Sequence, residues 1–170
     1  LLSGWPGQYW FSVTAFDRGN PTNNLPSLES SVLENKIYAV IGSPARPAGS
    51  ALRVGVFPNP YRGQALWDGD SDRDQMLWFF NLPAEAEVRI YTLAGDLIDE
   101  FRHHGSSYRG EDVNLMQQKI GGSNTVLPGG LHAWDLISSY DQAIATGLYF
   151  FSVKDVETGE IQTGKFVIIK

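Results

Sequence analysis

The sequence predicts an all-β chain: an immunoglobulin-like β-sandwich of about seven strands, preceded by a partial β-hairpin. Three observations carry this. Short apolar runs rich in aromatic and β-branched residues recur along the chain, most with a period of two. Turn formers separate them, with 18 Gly and 9 Pro in 170 residues. The composition, 42% hydrophobic and 19% charged, is that of a globular chain able to bury a core.

Residues 8–16, "QYWFSVTAF", read as a strand, followed by the turn-rich "DRGNPTNNLPSLESS" and a second strand, "NKIYAVI", at about 35–41. Two strands do not make a stable domain, so 1–41 reads as the last hairpin of a sandwich whose earlier strands lie upstream. The opening "LLSGWPGQYW" has no initiator Met, no basic segment and no small-residue cleavage site. That reads as a start inside a longer polypeptide, with any export signal upstream. "GSPARPAGSA", residues 42–51, has the composition of a linker, which makes 52–170 the principal domain.

Seven strand segments follow: "LRVGVF" (52–57), "MLWFFNL" (76–82), "EVRIYTL" (87–93), "DLIDEFR" (96–102), "LHAWDL" (131–136), "GLYFFSVK" (147–154) and "IQTGKFVII" (161–169). Number and spacing suit an immunoglobulin-like sandwich. "LAGD" and "VETGE" are tight turns, the first using Gly95 for a positive φ. "PNP" removes backbone donors and ends the first of these strands. Val88 and Ile90 alternate inward, as do Tyr149, Phe151 and Val153, with Trp134 as a core plug. Gly147 marks a close chain crossing. The connection at 103–130 is longer than structureless loops usually are. Val113, Met116 and Ile120 in it have helical spacing. It reads either as a decorated surface loop or as a partner-contacting insertion.

Two resemblances follow from these segments. Residues 1–41 resemble the final two strands of a fibronectin type III domain, "YWFSVTAFDRGNP" matching its Y-x-F-x-V-T-A-x-D strand. "VFPNPYRG" (56–63), "NLP" (81–83), "VRIYTLAGDLI" (88–98), "WDL" (134–136), "IATGLYFFSV" (144–153) and "GKFVIIK" (164–170) occur in that order. Together they resemble the C-terminal sorting domain of proteins exported by the bacterial type IX secretion system. That fold is in turn similar to the Ig-like domain of the flagellar hook-capping protein. The resemblance covers roughly residues 52–170. It implies a module at the end of a large secreted or cell-surface protein of the Bacteroidetes and their relatives, read by an outer-membrane translocon. In many members a surface peptidase removes the domain and links the cargo to a lipopolysaccharide. The 103–130 insertion departs from the compact family pattern.

The recognised element is expected at Gly164, Lys165, Phe166, Val167, Ile168, Ile169 and Lys170, bound by strand addition. Either Phe166 and Ile168 or Val167 and Ile169 form its core-facing half, and alternation alone does not decide between them. The expected partners are the outer-membrane secretion machinery and upstream domains of the same polypeptide. The competing reading is a structural or carbohydrate-binding module of a surface assembly. For a surface polysaccharide, Tyr61, Trp67, Trp78 and Phe80 are the candidate aromatics. Leu77 and Phe79 should face the core and leave Met76, Trp78 and Phe80 on the other side, where packing against a neighbour competes with sugar stacking.

Other chemistry has thinner support. Asp68, Asp70, Asp72 and Asp74 in "WDGDSDRD" alternate and could hold calcium. Counted from Asp68, however, the sixth and twelfth positions are Arg73 and Phe79 rather than Gly and a carboxylate. A solvated acidic loop is therefore the first reading, and no other cofactor is expected. His103 and His104 should point to opposite sides of a strand, with His132 distant in sequence, so all three read as surface residues. Asp99 and Glu100 likewise fall on opposite faces rather than across a glycosidic cleft. No nucleophile elbow, phosphate loop or metalloprotease motif is present, so no enzymatic activity is expected. With no cysteine, thiol chemistry and disulfides are excluded. A net charge of −6 without a basic cluster argues against nucleic acid. No apolar run approaches the ~20 residues of a membrane helix.

Overall fold

Alternating burial is how the long strands declare themselves. In Glu85–Tyr91 the residues Ala86, Val88 and Ile90 are buried while Arg89 between them is exposed. In Gly147–Asp155 the same holds for Tyr149, Phe151 and Val153 against Phe150 and Lys154. The structure, a computed structural model, describes residues 7–34, 37–47, 49–63, 65, 68, 71–113 and 125–170.

Its strands are β1 (Gly7–Phe11), β2 (Ile37–Ile41), β3 (Gly55–Phe57), β4 (Tyr61–Arg62), β5 (Leu77–Phe80), β6 (Glu85–Tyr91), β7 (Leu97–His104), β8 (Thr125–Val126), β9 (His132–Trp134), β10 (Gly147–Asp155) and β11 (Ile161–Ile169). Three sheets result, with orders β4-β11-β10-β6-β7, β3-β5-β9 and β1-β2-β8. The five-stranded sheet and the β3-β5-β9 sheet face each other across one core, the all-β, Ig-like sandwich expected from the sequence. Leu77, Phe79 and Trp134 from one side meet Val88, Ile90, Phe151, Val153, Phe166 and Ile168 from the other. Phe79 sits edge-on to Phe151 at 5.5 Å between centroids, an arrangement aromatic quadrupoles favour.

All seven expected strand segments of residues 52–170 carry a strand, and two further strands, β4 and β8, are each two residues long. Gly95 and Gly159 adopt φ of 94° and 74° in the two turns read from the sequence. β1 ends at Phe11, short of the expected residue 16. Beyond it the chain makes an excursion held by its own backbone: Asp17 N–H donates to Leu28 O (3.0 Å) and Ser30 N–H to Ala15 O (2.8 Å). The Asp17 carboxylate also accepts from the N–H groups of Gly19 and Leu28. Phe16, Leu25, Leu28 and Leu33 on this excursion are exposed.

The segment read as a linker, 42–51, is fastened to the sandwich. Arg46 N–H donates to Leu82 O, and Gly130 N–H donates to Ser43 O. The Arg46 guanidinium divides between Asp155 (2.8 Å) and Glu160 (3.1 Å), with the Arg46 and Asp155 side chains almost fully buried. The helical spacing at 113–120 falls largely outside the described residues, Met116 and Ile120 among them. Val113 itself is buried.

β5 separates two clusters. Leu77 and Phe79 enter the sandwich core, as expected. Met76 and Trp78 point the other way and pack with Tyr108, Val113, Leu127, Leu131 and Ala133, with Phe80 against them. Tyr108, Val113 and Leu127, described residues of the 103–130 connection, therefore cover the second face of β5.

Candidate functional site

β11 carries the candidate recognition element. It pairs antiparallel with β10 over nearly its whole length, from Lys154↔Ile161 to Gly147↔Ile168, and parallel with β4 at Ile168↔Tyr61 and Ile169↔Arg62. Phe166 and Ile168 are wholly buried, so they form the core-facing half. Phe166 stacks on Tyr149 at 5.7 Å and meets Trp134 edge-on at 6.0 Å. Gly164 lies under the Phe151 ring: a Cβ there would come within 2.3 Å of it. Lys165, Val167 and Ile169 form the opposite row, with Ile169 44% exposed and Val167 half-buried. Val167 is paired across the strand with Leu148, and Lys165 with the exposed Phe150.

The outer edge of β11 is occupied. The Asn59 side-chain amide donates to Lys165 O (3.3 Å), and its Oδ1 accepts from Val167 N–H (3.2 Å). Gly63 N–H donates to Ile169 O on the same edge, while on the β10 side Lys170 N–H donates to Thr146 Oγ1. The strand end thus offers side chains more readily than free backbone.

The expected aromatic platform is corrected by burial. Tyr61 is fully buried with its hydroxyl donating to Asp68, and Trp78 is 1% exposed beneath the insertion. Phe80 is half-buried against Phe57, 5.7 Å between centroids. These three present no flat exposed surface, because the apolar face of β5 is covered from within the chain. Trp67 lies outside the described residues.

In the acidic loop, Asp68 is engaged by protein donors. It accepts from the Tyr61 hydroxyl and from the N–H groups of Ala65 and Met76. Asp74 accepts from Ser71 Oγ at 2.8 Å. Asp68 therefore acts as a loop fastener in this fold. Asp70 and the Asp72 side chain lie outside what is described. Among the described residues no group of three or more His, Asp and Glu side chains is arranged to hold a metal ion.

The surface reading of the histidines is corrected for two of the three. His104 is exposed, bonded to Glu85, and His103 faces the opposite way, as alternation requires. His103 and His132 are each 1% exposed, and their Nδ1 atoms lie 3.2 Å apart. β7 brings one and β9 the other, each facing the space under the insertion. His103 Nε2 donates to Gly129 O (2.8 Å), and His132 Nε2 meets Asp112 Oδ2 (2.9 Å). Phe101 and Tyr108 stack on His132 at 4.2 and 4.0 Å, nearly parallel. The Tyr108 hydroxyl donates to Asp112 Oδ1 (2.9 Å) and accepts from Ala133 N–H (3.2 Å), filling the edge of β9 where a further strand would bond.

Burial pushes the His103 imidazole down to about 4, with the Gly129 carbonyl opposing and His132 adding to the shift. Burial acts to raise the Asp112 carboxyl, but the hydrogen bond and charge of His132, with the Tyr108 hydroxyl, hold it below the usual range. Asp99 accepts from Trp134 Nε1 at 2.7 Å, while Glu100 faces outward to Arg89. Burial pushes Asp135 up to about 6; the Ile137 N–H opposes this, and the charges of Asp99 and Asp112 add to it. Sequence reasoning missed this cluster. The one signal available was that His103 shares the inward register of Phe101 on β7.

Fold and surface together define an Ig-like β-sandwich module with an occupied strand edge and an outward row on its last strand. No family profile matches the sequence, and no curated protein matches it. Among solved structures, it is similar to PorZ, an essential bacterial surface component of the type IX secretion system of Porphyromonas gingivalis. There the identity is 20% and the TM-score 0.43, over 69% of this chain and 11% of PorZ. It is also similar to dimeric latent PorU from the same organism, at 18% identity and TM-score 0.41, over 97% of this chain and 12% of PorU. The chain thus spans about a tenth of the length of either protein. No helix of the described residues is long and apolar enough to cross a membrane.

Proposed function

We propose that this chain is a non-catalytic sorting and surface-anchoring module of a larger exported bacterial protein, read by outer-membrane secretion machinery through β11. The ordered motifs ending in "GKFVIIK" support the reading. The observation that carries it is the division of labour on β11. Phe166 and Ile168 close the core, while Lys165, Val167 and Ile169 stand outward beside Phe150. Recognition acts first on that outward row and on Lys170. Strand addition along 165–169 requires Asn59 and β4 to give way.

Deleting 164–170 would remove two fully buried side chains and confuse unfolding with loss of recognition. The discriminating variant changes the outward row alone: Lys165→Glu, Val167→Thr and Ile169→Thr in the full-length protein. The expected result is a folded module whose cargo no longer reaches the cell surface. Undiminished surface display of the triple variant would sink the proposal.

A second observation favours packing against the rest of the polypeptide. Phe16, Leu25, Leu28 and Leu33 are exposed on an excursion braced by its own hydrogen bonds. We assign that surface to upstream domains. A longer polypeptide in which those four residues exchange their backbone amides and label at their side chains as freely as here would contradict the assignment.

A further inference from the structure

Both buried histidines have Nε2 committed to an acceptor. The Gly129 carbonyl, 2.8 Å from His103 Nε2, can only accept, and so can the Asp112 carboxylate, 2.9 Å from His132 Nε2. Each Nε2 therefore carries hydrogen. On two neutral rings this would leave the facing Nδ1 atoms, 3.2 Å apart, with two opposed lone pairs and no hydrogen between them. A contact at that distance needs one more proton.

We infer that the His103–His132 pair holds a single extra proton across its Nδ1 contact, carried as an imidazolium by His132, and that this proton fastens the Tyr108–Val113 stretch over Trp78. The inference does not depend on the sorting role.

His132 is the ring placed to carry the charge. It is sandwiched between the faces of Phe101 and Tyr108, which attract a cation, and it contacts Asp112 directly. The charged surroundings favour a cation from each side. The insertion supplies Asp112 and Tyr108. β7 supplies His103 and, four residues earlier, Asp99. The chain after β9 supplies Asp135, and β6 supplies Glu85, bonded to His104 on the outer face. His103 resists a second proton, since burial and its charged neighbour depress its affinity. The pair therefore holds one proton, neither two nor none.

The proton is linked to the insertion through Tyr108. Its loss would set the lone pairs against each other and leave Asp112, whose side chain is 43% exposed, without its cation. Asp112 would then turn to water with the Tyr108 hydroxyl, and Ala133 N–H would lose its acceptor. Because the docked form binds one proton more than a released form with neutral rings, docking weakens as pH rises. The linkage is about tenfold per pH unit above the titration of the released rings, for as long as the docked pair keeps its proton.

The test is nitrogen-resolved NMR of the histidine rings in the full chain from about pH 5 to about pH 9. The protection of the Ala133 amide against hydrogen exchange is followed at the same points, and rings are assigned by single His→Gln variants. At about pH 7 one buried ring should be protonated on both nitrogens and the other on Nε2 alone. Ala133 protection should fall by about tenfold per pH unit above the ordinary histidine range while the imidazolium signal is still seen, and be largely gone when that signal is lost. Asp112→Asn should move that loss to lower pH, and His104→Gln should leave it in place. Two neutral buried rings with Ala133 still protected would overturn the inference. So would stoichiometric Zn(II) binding by the folded chain that shifts both Nδ1 signals, since it would put a metal where the proton is placed.

Discussion

Leu77 and Phe79 on one side of β5, Met76 and Trp78 on the other, are buried to the same degree under different covers. The sandwich core is closed by a five-stranded sheet whose ladders run through β10 and β11. The second cluster is closed by the insertion, through the side-chain network of Tyr108, Asp112, His103 and His132. A backbone ladder has no titratable member, whereas two histidines and an aspartate give the other closure a dependence on pH. Equal burial therefore does not mean equal permanence. The sandwich core should open only with global unfolding, and the second cluster should open locally.

The largest effect that would test this contrast is in the sandwich. Phe166→Ala should cost about 3–5 kcal/mol in urea unfolding and lower protection across β6, β10 and β11 together. Loss confined to the end of β11 would contradict its place in the common core.

Acid comes next. His103 is depressed to about 4 in the fold against an ordinary value of 6.5. The unfolded chain therefore binds more protons between those values. Stability from this residue is complete above 6.5 and disappears as pH falls toward 4, a change on the order of 3 kcal/mol. Asp135, raised to about 6, acts in the opposite sense: its ionisation costs stability as pH rises through that value. Stability against pH for His103→Gln and Asp135→Asn should each lose one of the two opposed limbs. Parallel curves for all three proteins would remove histidine burial from the account.

Tyr108→Phe is smaller and local, about 1–3 kcal/mol, from leaving Ala133 N–H without its acceptor. Exchange should quicken at Ala133 and remain unchanged in β10. The outward triple variant of β11 should be smallest, within about 0.5 kcal/mol per site in denaturation. A larger loss would mean that row is structural, and would weaken its use as a recognition surface.

Strand positions in residues 52–170 were legible because a half-buried strand writes its pattern into alternate residues. β4 and β8, each two residues long, leave no period to read. Which half of 166–169 faces inward depended on register with β10, a partner whose sequence does not state its alignment. The histidine cluster joins positions 29 residues apart through a loop turned back on the sheet, and the sequence around His132 gives no hint of His103. Composition marked 42–51 as a linker; the ion pair between Arg46 and Asp155 spans 109 residues and is invisible to composition. The aromatic run at 76–80 was read correctly for its alternation and incompletely for its cover, since what lies on a face is decided by distant chain.

The Phe151 ring resting on Gly164 makes these two positions one unit of information. A side chain at 164 has room only if the ring at 151 is gone, and an empty 151 leaves a hollow over the glycine. Gly164→Val and Phe151→Ala should each damage the module, while the double variant should recover much of the loss. Related sequences should then exchange the large residue between the two strands rather than lose it from both.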